Sequence, residues 1–555
     1  MQDVSPATTW RPTAIAIAIA TVVTAVFVVH ARAWEFLCDD AFISFRYARN
    51  LAEHGALVFN VGVEPPEYVE GYTNFSWVVV LAGLHWLGWS PPEAAPMLTQ
   101  LGALMELVAV TLVARLSRAR FSKGAFDRLR AVDLVPAGLL VCTPETMVWS
   151  HGGLETSVAA ALTIGAIAAW LADRLRLAAV LAALTALTRP DGLLPVAIFG
   201  LAWLAIVSAP VLVREGKAAL RRVPTLRLLQ AALVFAVPLL VHLMWRRSYY
   251  GEWLPNTWAI KAHGALLRDT YGQAYVYAWF DALPLVYLSP LAVWLRPRHL
   301  LLLCPIAGVV YYGWWVGGDF MAYGRFYVVA TGLLAALTGW LLADAGRWLG
   351  RVVPPMVAAA IPVVLGIALA AGLSVRARAR WQADMAKPTG WLDGKWEGVA
   401  TMDRFARVGR AVGEWMQGNL PPDTLISVGA AGAVPYGANL PVVDAYGLVD
   451  PHLVRHPRLR PYQGKGARPG HQIIAPVSYM KRRDPDLLCH VGYRGPRRPS
   501  EGRAHRAFRR GYRWACIEPP PVPDPRAEGG LLDVGFYCCR RPRERTVGPF
   551  GPEVR

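Results

Sequence analysis

Apolar runs of bilayer-spanning length recur along the first two thirds of the chain, at 13–30, 98–116, 132–149, 155–172, 176–190, 193–213, 228–245, 275–295, 299–316, 326–343 and 352–374. Helices on a water-soluble core alternate polar and apolar faces and rarely go nearly 20 residues without a charge, so this series predicts a polytopic α-helical membrane protein of about 11 transmembrane helices over residues 1–375. One further apolar segment, Phe75 to Trp89, is short and carries Trp77, Trp86 and Trp89. It reads as a helix lying in the membrane interface, with its indoles at headgroup level. After Arg376 no span follows, and Gly, Pro, Arg and Trp become common. Short apolar strings there, Thr424 to Gly429 and Pro441 to Asp444, end at Gly or Asp and read as strands. Residues 376–555 are therefore expected to form a separate water-exposed α/β domain, turning Arg/Pro-rich after about residue 493.

The basic loops set the orientation. Clusters at Arg115 to Arg130, Arg174 to Arg176, Arg214 to Arg227, Arg296 to His299 and Arg347 to Arg351 fall on one side if Phe75 to Trp89 does not span, as the positive-inside bias requires. The other side then collects the acidic stretch Glu35 to Glu70, His151 to Thr156, Thr188 to Gly192, Tyr249 to Lys261, Gly317 to Arg325 and the C-terminal domain. This places the protein in the plasma membrane with an extracytoplasmic C-terminal domain. Arg11 before an apolar run, with Ala31-Arg32-Ala33 after it, has features of a cleavable leader. The run is longer than most leader cores, and the acidic loop that follows needs a fixed anchor, so it is read as a span.

Hydrophobic residues make up 54% of the chain and the formal net charge is +18, most of it after Arg376. On a domain tethered to a membrane bundle, that excess suits anionic lipid or an anionic polymer, and nucleic acid is not expected as a partner. Of seven cysteines, Cys489, Cys516, Cys538 and Cys539 lie in the tail; no CxxC or Cys/His zinc spacing occurs. Outside the cytoplasm a disulfide such as Cys489 with Cys516 could form, but spacing does not define the pairing.

Asp39 and Asp40 follow the first span within ten residues and open a short amphipathic helix. One carboxylate there is explained by capping and the helix dipole; a second, crowded against it, raises the ionisation cost of both. Either is placed to take a proton from an incoming hydroxyl as a general base. Glu70, Tyr72 and Asn74, around the turn at Gly71, offer hydrogen bonds suited to sugar hydroxyls. Arg189 with Asp191, and Arg325 with Asp319, stand at span ends, where an ion pair or a lipid-phosphate contact is the alternative use of an Arg. Asn256 and Lys261 lie in an aromatic stretch, Glu155 lies near His151, and Asp444, Asp450 and His471 sit where strand ends commonly place binding groups.

Taken in order, Asp39-Asp40, Glu70-Gly71-Tyr72-Thr73-Asn74, Gly153-Leu154-Glu155-Thr156, Arg189-Pro190-Asp191-Gly192, Leu254-Pro255-Asn256-Thr257 with Lys261, Gly317-Gly318-Asp319-Phe320-Met321 with Arg325-Phe326, and Asp444 through Asp450 resemble one family. It is the GT-C class of polyprenyl-phosphate-sugar glycosyltransferases, most closely the branch of the mycobacterial terminal arabinofuranosyltransferase. The resemblance implies a GT-C-like fold with two juxtamembrane helices in the first outer loop and a catalytic Asp carried by Asp39 or Asp40. It implies a donor sugar, arabinofuranose in that branch, on a polyprenyl phosphate. The tail domain would bind an envelope glycan or lipid-linked acceptor.

On this reading Arg325, Lys261 or Arg189 stabilises the departing lipid phosphate, and Glu155 beside His151 positions sugar or acceptor. The simplest scheme is a single inverting displacement. No nucleotide-binding Gly-rich loop is present and no cofactor is expected, although Asp39, Asp40 and Asp319 could together take a divalent cation. The competing class is a transporter or flippase of a lipid-linked sugar, which would place charges in mid-membrane and would not need the Asp pair.

Overall fold

The computed structural model describes residues 14–64, 66–121, 129–216, 218, 223–289, 291–292, 296–387, 389–453, 461–462, 467–500, 506–508 and 510–551. Of the basic-loop residues used above, Lys123, Arg128, Lys217, Arg221 and Arg222 lie outside these. The chain divides into two compact units, one of residues 1–35, 96–244 and 268–386, the other of residues 36–95, 245–267 and 387–555.

Among the described residues six helices are long and apolar enough to cross a membrane: Ala14–Ala33, Pro91–Arg120, Pro190–Glu215, Thr225–Tyr250, Arg325–Leu349 and Pro355–Met385. Shorter apolar helices include Phe75–Trp86, Ala131–Leu140, Thr156–Leu171 and Leu175–Thr188. The fold is thus a polytopic helical membrane protein with a mixed α/β C-terminal part. Arg325–Leu349 is the core helix of the first unit. Gly332 and Gly339 let Ile164 and Pro136 pack directly on its backbone, the close approach that small residues permit between membrane helices.

Two of the expected spans are broken. Segment 132–149 folds as Val135–Leu140 and Pro144–Trp149, and the helix Gln273–Ala282 gives way to a turn of 3-10 helix, Pro284–Leu288. Pro144 and Pro284 each start the second piece, because proline lacks the N–H that would continue the helix and pushes the residue before it out of the α region.

The second unit is built on the helix Asp39–His54, which ends at Gly55 in a left-handed conformation (φ 67°). Phe75–Trp86 packs against it, and His85 Nε2 lies 2.9 Å from Glu53. Arg46, fully inside, donates to the carbonyls of Phe59 (2.8 Å), Pro435 (2.8 Å) and Leu440 (2.7 Å), pinning early and late segments together.

Five strands form the sheet in the order Val442–Asp444, Ile426–Val428, Leu487–Gly495, Phe536–Pro542, Tyr512–Ile517; the first three are mutually parallel and the last two pairings are antiparallel. Two disulfides staple it, Cys489 with Cys539 and Cys516 with Cys538. The pairing differs from Cys489 with Cys516 because register decides it. Cys516 stands opposite Cys538, and Leu488 opposite Arg540 brings Cys489 to Cys539.

Candidate active site

Asp39 and Asp40 form the first turn of Asp39–His54, as expected, and they have different surroundings. Asp39 is half-buried and its Oδ1 accepts the Ala433 N–H at 2.8 Å. Gly432 is pressed against it so closely that a Cβ there would strike both the Asp39 carboxylate and its backbone carbonyl. Loss of hydration pushes the Asp39 pKa up to about 7; the Ala433 N–H and Arg494 oppose this, while Asp40 and Glu397 add to it. Asp40 is within electrostatic reach of His471. Burial lowers the His471 pKa, with Asp40 raising it and Arg468 and Lys261 lowering it, so these charged groups share one neighbourhood of the second unit. The His471 ring packs edge-on to Tyr446 at 5.5 Å.

The polar residues of the first loop bond within the unit. Glu70 makes a two-point ion pair with Arg246 (2.6 and 3.0 Å) and its carboxyl is raised by burial, which the guanidinium opposes. Tyr72 meets the Tyr250 hydroxyl at 3.0 Å, and Asn74 exchanges hydrogen bonds with Ser44 (3.0 and 3.2 Å). Asn256 donates to the carbonyls of Gly447 (2.8 Å) and Leu448 (3.0 Å). Asp444 accepts the backbone N–H groups of Tyr446 (2.8 Å) and Val449 (3.1 Å), and burial carries its pKa to about 6. Asp450 accepts from the N–H groups of His452 and Leu453 (2.9 Å each) and from the Tyr479 hydroxyl (2.7 Å). Through these bonds the six residues are tied into the framework of the second unit.

A second cluster lies in the first unit. Arg189 grips Asp191 with two hydrogen bonds (3.1 and 2.8 Å) and reaches Glu155 at 3.3 Å. Arg325 Nε pairs with Asp319 at 2.8 Å. Both guanidinium groups lie over Phe326, at 5.5 and 5.6 Å from its centroid. They line one cleft with Thr156, Thr163, Tyr312 and Phe326. Two guanidinium groups lining one cleft suit a phosphate. His151 has Gln100 Nε2 at 3.2 Å from its Nε2 and Ser150 Oγ at 3.1 Å from its Nδ1.

Among the described residues no three His, Cys, Asp or Glu side chains converge as a metal site would require. Sequence reasoning did not find Arg246, Arg494, Glu397 or Arg468 as neighbours of the expected site. None lies in a motif, and each acts across a long sequence separation. Tyr312 was hidden inside an apolar span, whereas Phe326 was visible beside Arg325.

A family model described as a domain of unknown function (DUF8728) matches residues 399–523. No curated protein matches the chain. Among solved structures the chain is similar to ArnT from Cupriavidus metallidurans in the apo state, with a TM-score of 0.50 and 11% identity over 94% of this chain and 97% of that one. It is equally similar to the same protein bound to undecaprenyl phosphate, with a TM-score of 0.50 and 13% identity over the same shares. The chain has an ArnT-like fold.

Proposed function

We propose that the chain is a GT-C-type membrane glycosyltransferase that moves a sugar from a polyprenyl phosphate to an envelope glycan or lipid-linked acceptor at the outer face of the membrane. The observation that carries this is the division of labour in the Asp pair. Asp39 is committed to the Ala433 N–H and closed in by Gly432, whereas Asp40 faces the His471 neighbourhood. Support for the lipid-linked donor comes from the ArnT-like fold, one of whose solved forms holds undecaprenyl phosphate. The motif resemblance favours arabinofuranose as the sugar. The two disulfides favour an oxidising compartment for the C-terminal part, and so an extracytoplasmic side.

Chemically, Asp40 takes the proton of the acceptor hydroxyl as that oxygen attacks the anomeric carbon. The bond from that carbon to the phosphate oxygen breaks, and the lipid phosphate leaves with the bonding electron pair. Within the first unit, Asp319 holds Arg325, and Asp191 with Glu155 holds Arg189, in a cleft whose chemistry suits a phosphate. Lys261 and His471 orient the acceptor beside Asp40.

The test is transfer from a radiolabelled polyprenyl-phosphate sugar in membranes containing the protein. Asp40→Asn should lower kcat by a factor of about 100 or more, the range for loss of a general base, while Asp39→Asn, which keeps an acceptor for Ala433, should fall much less. Full transfer by Asp40→Asn would overturn the assignment. A flippase is the second reading. It is favoured by Glu106, which is fully buried in the span Pro91–Arg120 with neither carboxyl oxygen hydrogen-bonded among the described residues. Movement of labelled lipid across vesicles without sugar transfer would support it instead.

A further inference from the structure

The helix Arg325–Leu349 carries arginine near both ends. It has 25 residues, about 37 Å at the usual helical rise, enough to cross the hydrocarbon layer. Arg325 belongs to the cleft described above. Around Arg347, near the other end, the same unit gathers basic groups that sugar transfer does not use.

Arg118 makes a bidentate pair with Asp133 (2.8 Å at both contacts), and Asp133 also accepts the Arg130 N–H at 2.9 Å. Asp344 takes Arg298, Arg347 and, at 3.1 Å, His299. Arg347 is within electrostatic reach of Arg298, Arg296, Arg118 and Arg130. Three guanidinium groups, those of Arg118, Arg298 and Arg347, therefore share two carboxylates, and both carboxylates are turned inward, with side chains only 2% and 9% exposed. Arg130 and Arg296 are exposed and Arg347 is half-buried. Arg296 makes no ion pair among the described residues.

Beneath the charges lies an aromatic floor. Phe121 stacks on Trp340 at 5.6 Å, Arg298 lies over both rings, and Arg120 lies over Trp203 at 4.8 Å. Excess cationic charge that is partly withdrawn from water calls for an anion. At the end of a bilayer-length helix that anion sits at headgroup depth.

We propose that this cluster binds the phosphate headgroup of an anionic phospholipid, held by Arg130, Arg296 and Arg347, in the leaflet opposite the Arg325 end of the helix. A soluble phosphate offers the same charge, and the pyrophosphate arm of the test separates the two sources.

The test uses the full-length protein, delipidated in detergent and examined by native mass spectrometry with phosphatidylglycerol, phosphatidylethanolamine or inorganic pyrophosphate. The wild type should keep phosphatidylglycerol in clear preference to phosphatidylethanolamine. Arg296→Glu, at an exposed position outside any ion pair, should cut phosphatidylglycerol binding by about fivefold or more, the scale of one basic residue at an anionic surface. Arg296→Lys should preserve it, and Arg130→Glu provides a second reversal on a different segment. Equal retention of the two lipids, undiminished phosphatidylglycerol binding by both Glu variants, or displacement of bound lipid by equimolar pyrophosphate would overturn the proposal. None of these readouts depends on sugar transfer.

Discussion

Gly432 and Asp39 touch so closely that there is no room for a methyl group at residue 432, where it would meet both the carboxylate and the peptide oxygen of Asp39. Gly432→Ala should therefore force the Asp39 turn and the 433–438 helix apart. The expected loss is about 1–3 kcal/mol of stability, the usual cost of overpacking, with a fall in sugar transfer. Denaturant midpoints of the purified protein check the first part. An unchanged midpoint would mean that the two segments do not meet in this way.

The Asp39 carboxyl supplies a pH dependence whose sign is opposite to that of a salt-bridged Asp. Its pKa rises from an ordinary 3.8 to about 7 in the folded chain, so the native state binds the proton more tightly than the unfolded state does. Between those values stability falls as pH rises. The wild type should lose thermal stability between pH 5 and pH 8 relative to Asp39→Asn, whose side chain does not titrate. Parallel curves for the two proteins would argue against the raised value.

The nested disulfides predict a specific peptide map. Digestion without reductant should join Cys489 to Cys539 and Cys516 to Cys538, with Cys38, Cys142 and Cys304 outside any disulfide. Cys516→Ser should lower the stability of the C-terminal part by about 2–5 kcal/mol. Cys538 and Cys539 are adjacent, so the expected product is one three-peptide species held through them; a two-peptide species joining Cys489 directly to Cys516 would refute the strand register.

What the chain reveals on inspection follows from the range over which each interaction acts. Hydropathy over about 20 residues is local, so spans such as Ala14–Ala33 and Pro355–Met385 and the acidic start at Asp39 are legible. The same averaging conceals Pro144 and Pro284, which split two runs that look continuous. The ion pair of Glu70 with Arg246, 176 residues away, is invisible from position 70. Cys489 and Cys539 pair through a strand order that no cysteine spacing encodes. Asp444 closes the strand Val442–Asp444 and Asp450 lies in the loop after it, but spacing does not reveal that their oxygens hold the backbone of that loop.

Arg46 reaches across 389 residues to the carbonyl of Pro435, and the unit that contains it is assembled from three separated stretches of chain. At about 5–20 residues per second, ribosomal synthesis keeps this arginine waiting about 20–80 s for its acceptor. The loop that opens with Asp39 is among the first segments made and among the last to be completed. A polypeptide beginning at residue 387 would carry the sheet and its disulfides, yet Pro435 and Ala433 would face water where Arg46 and Asp39 belong.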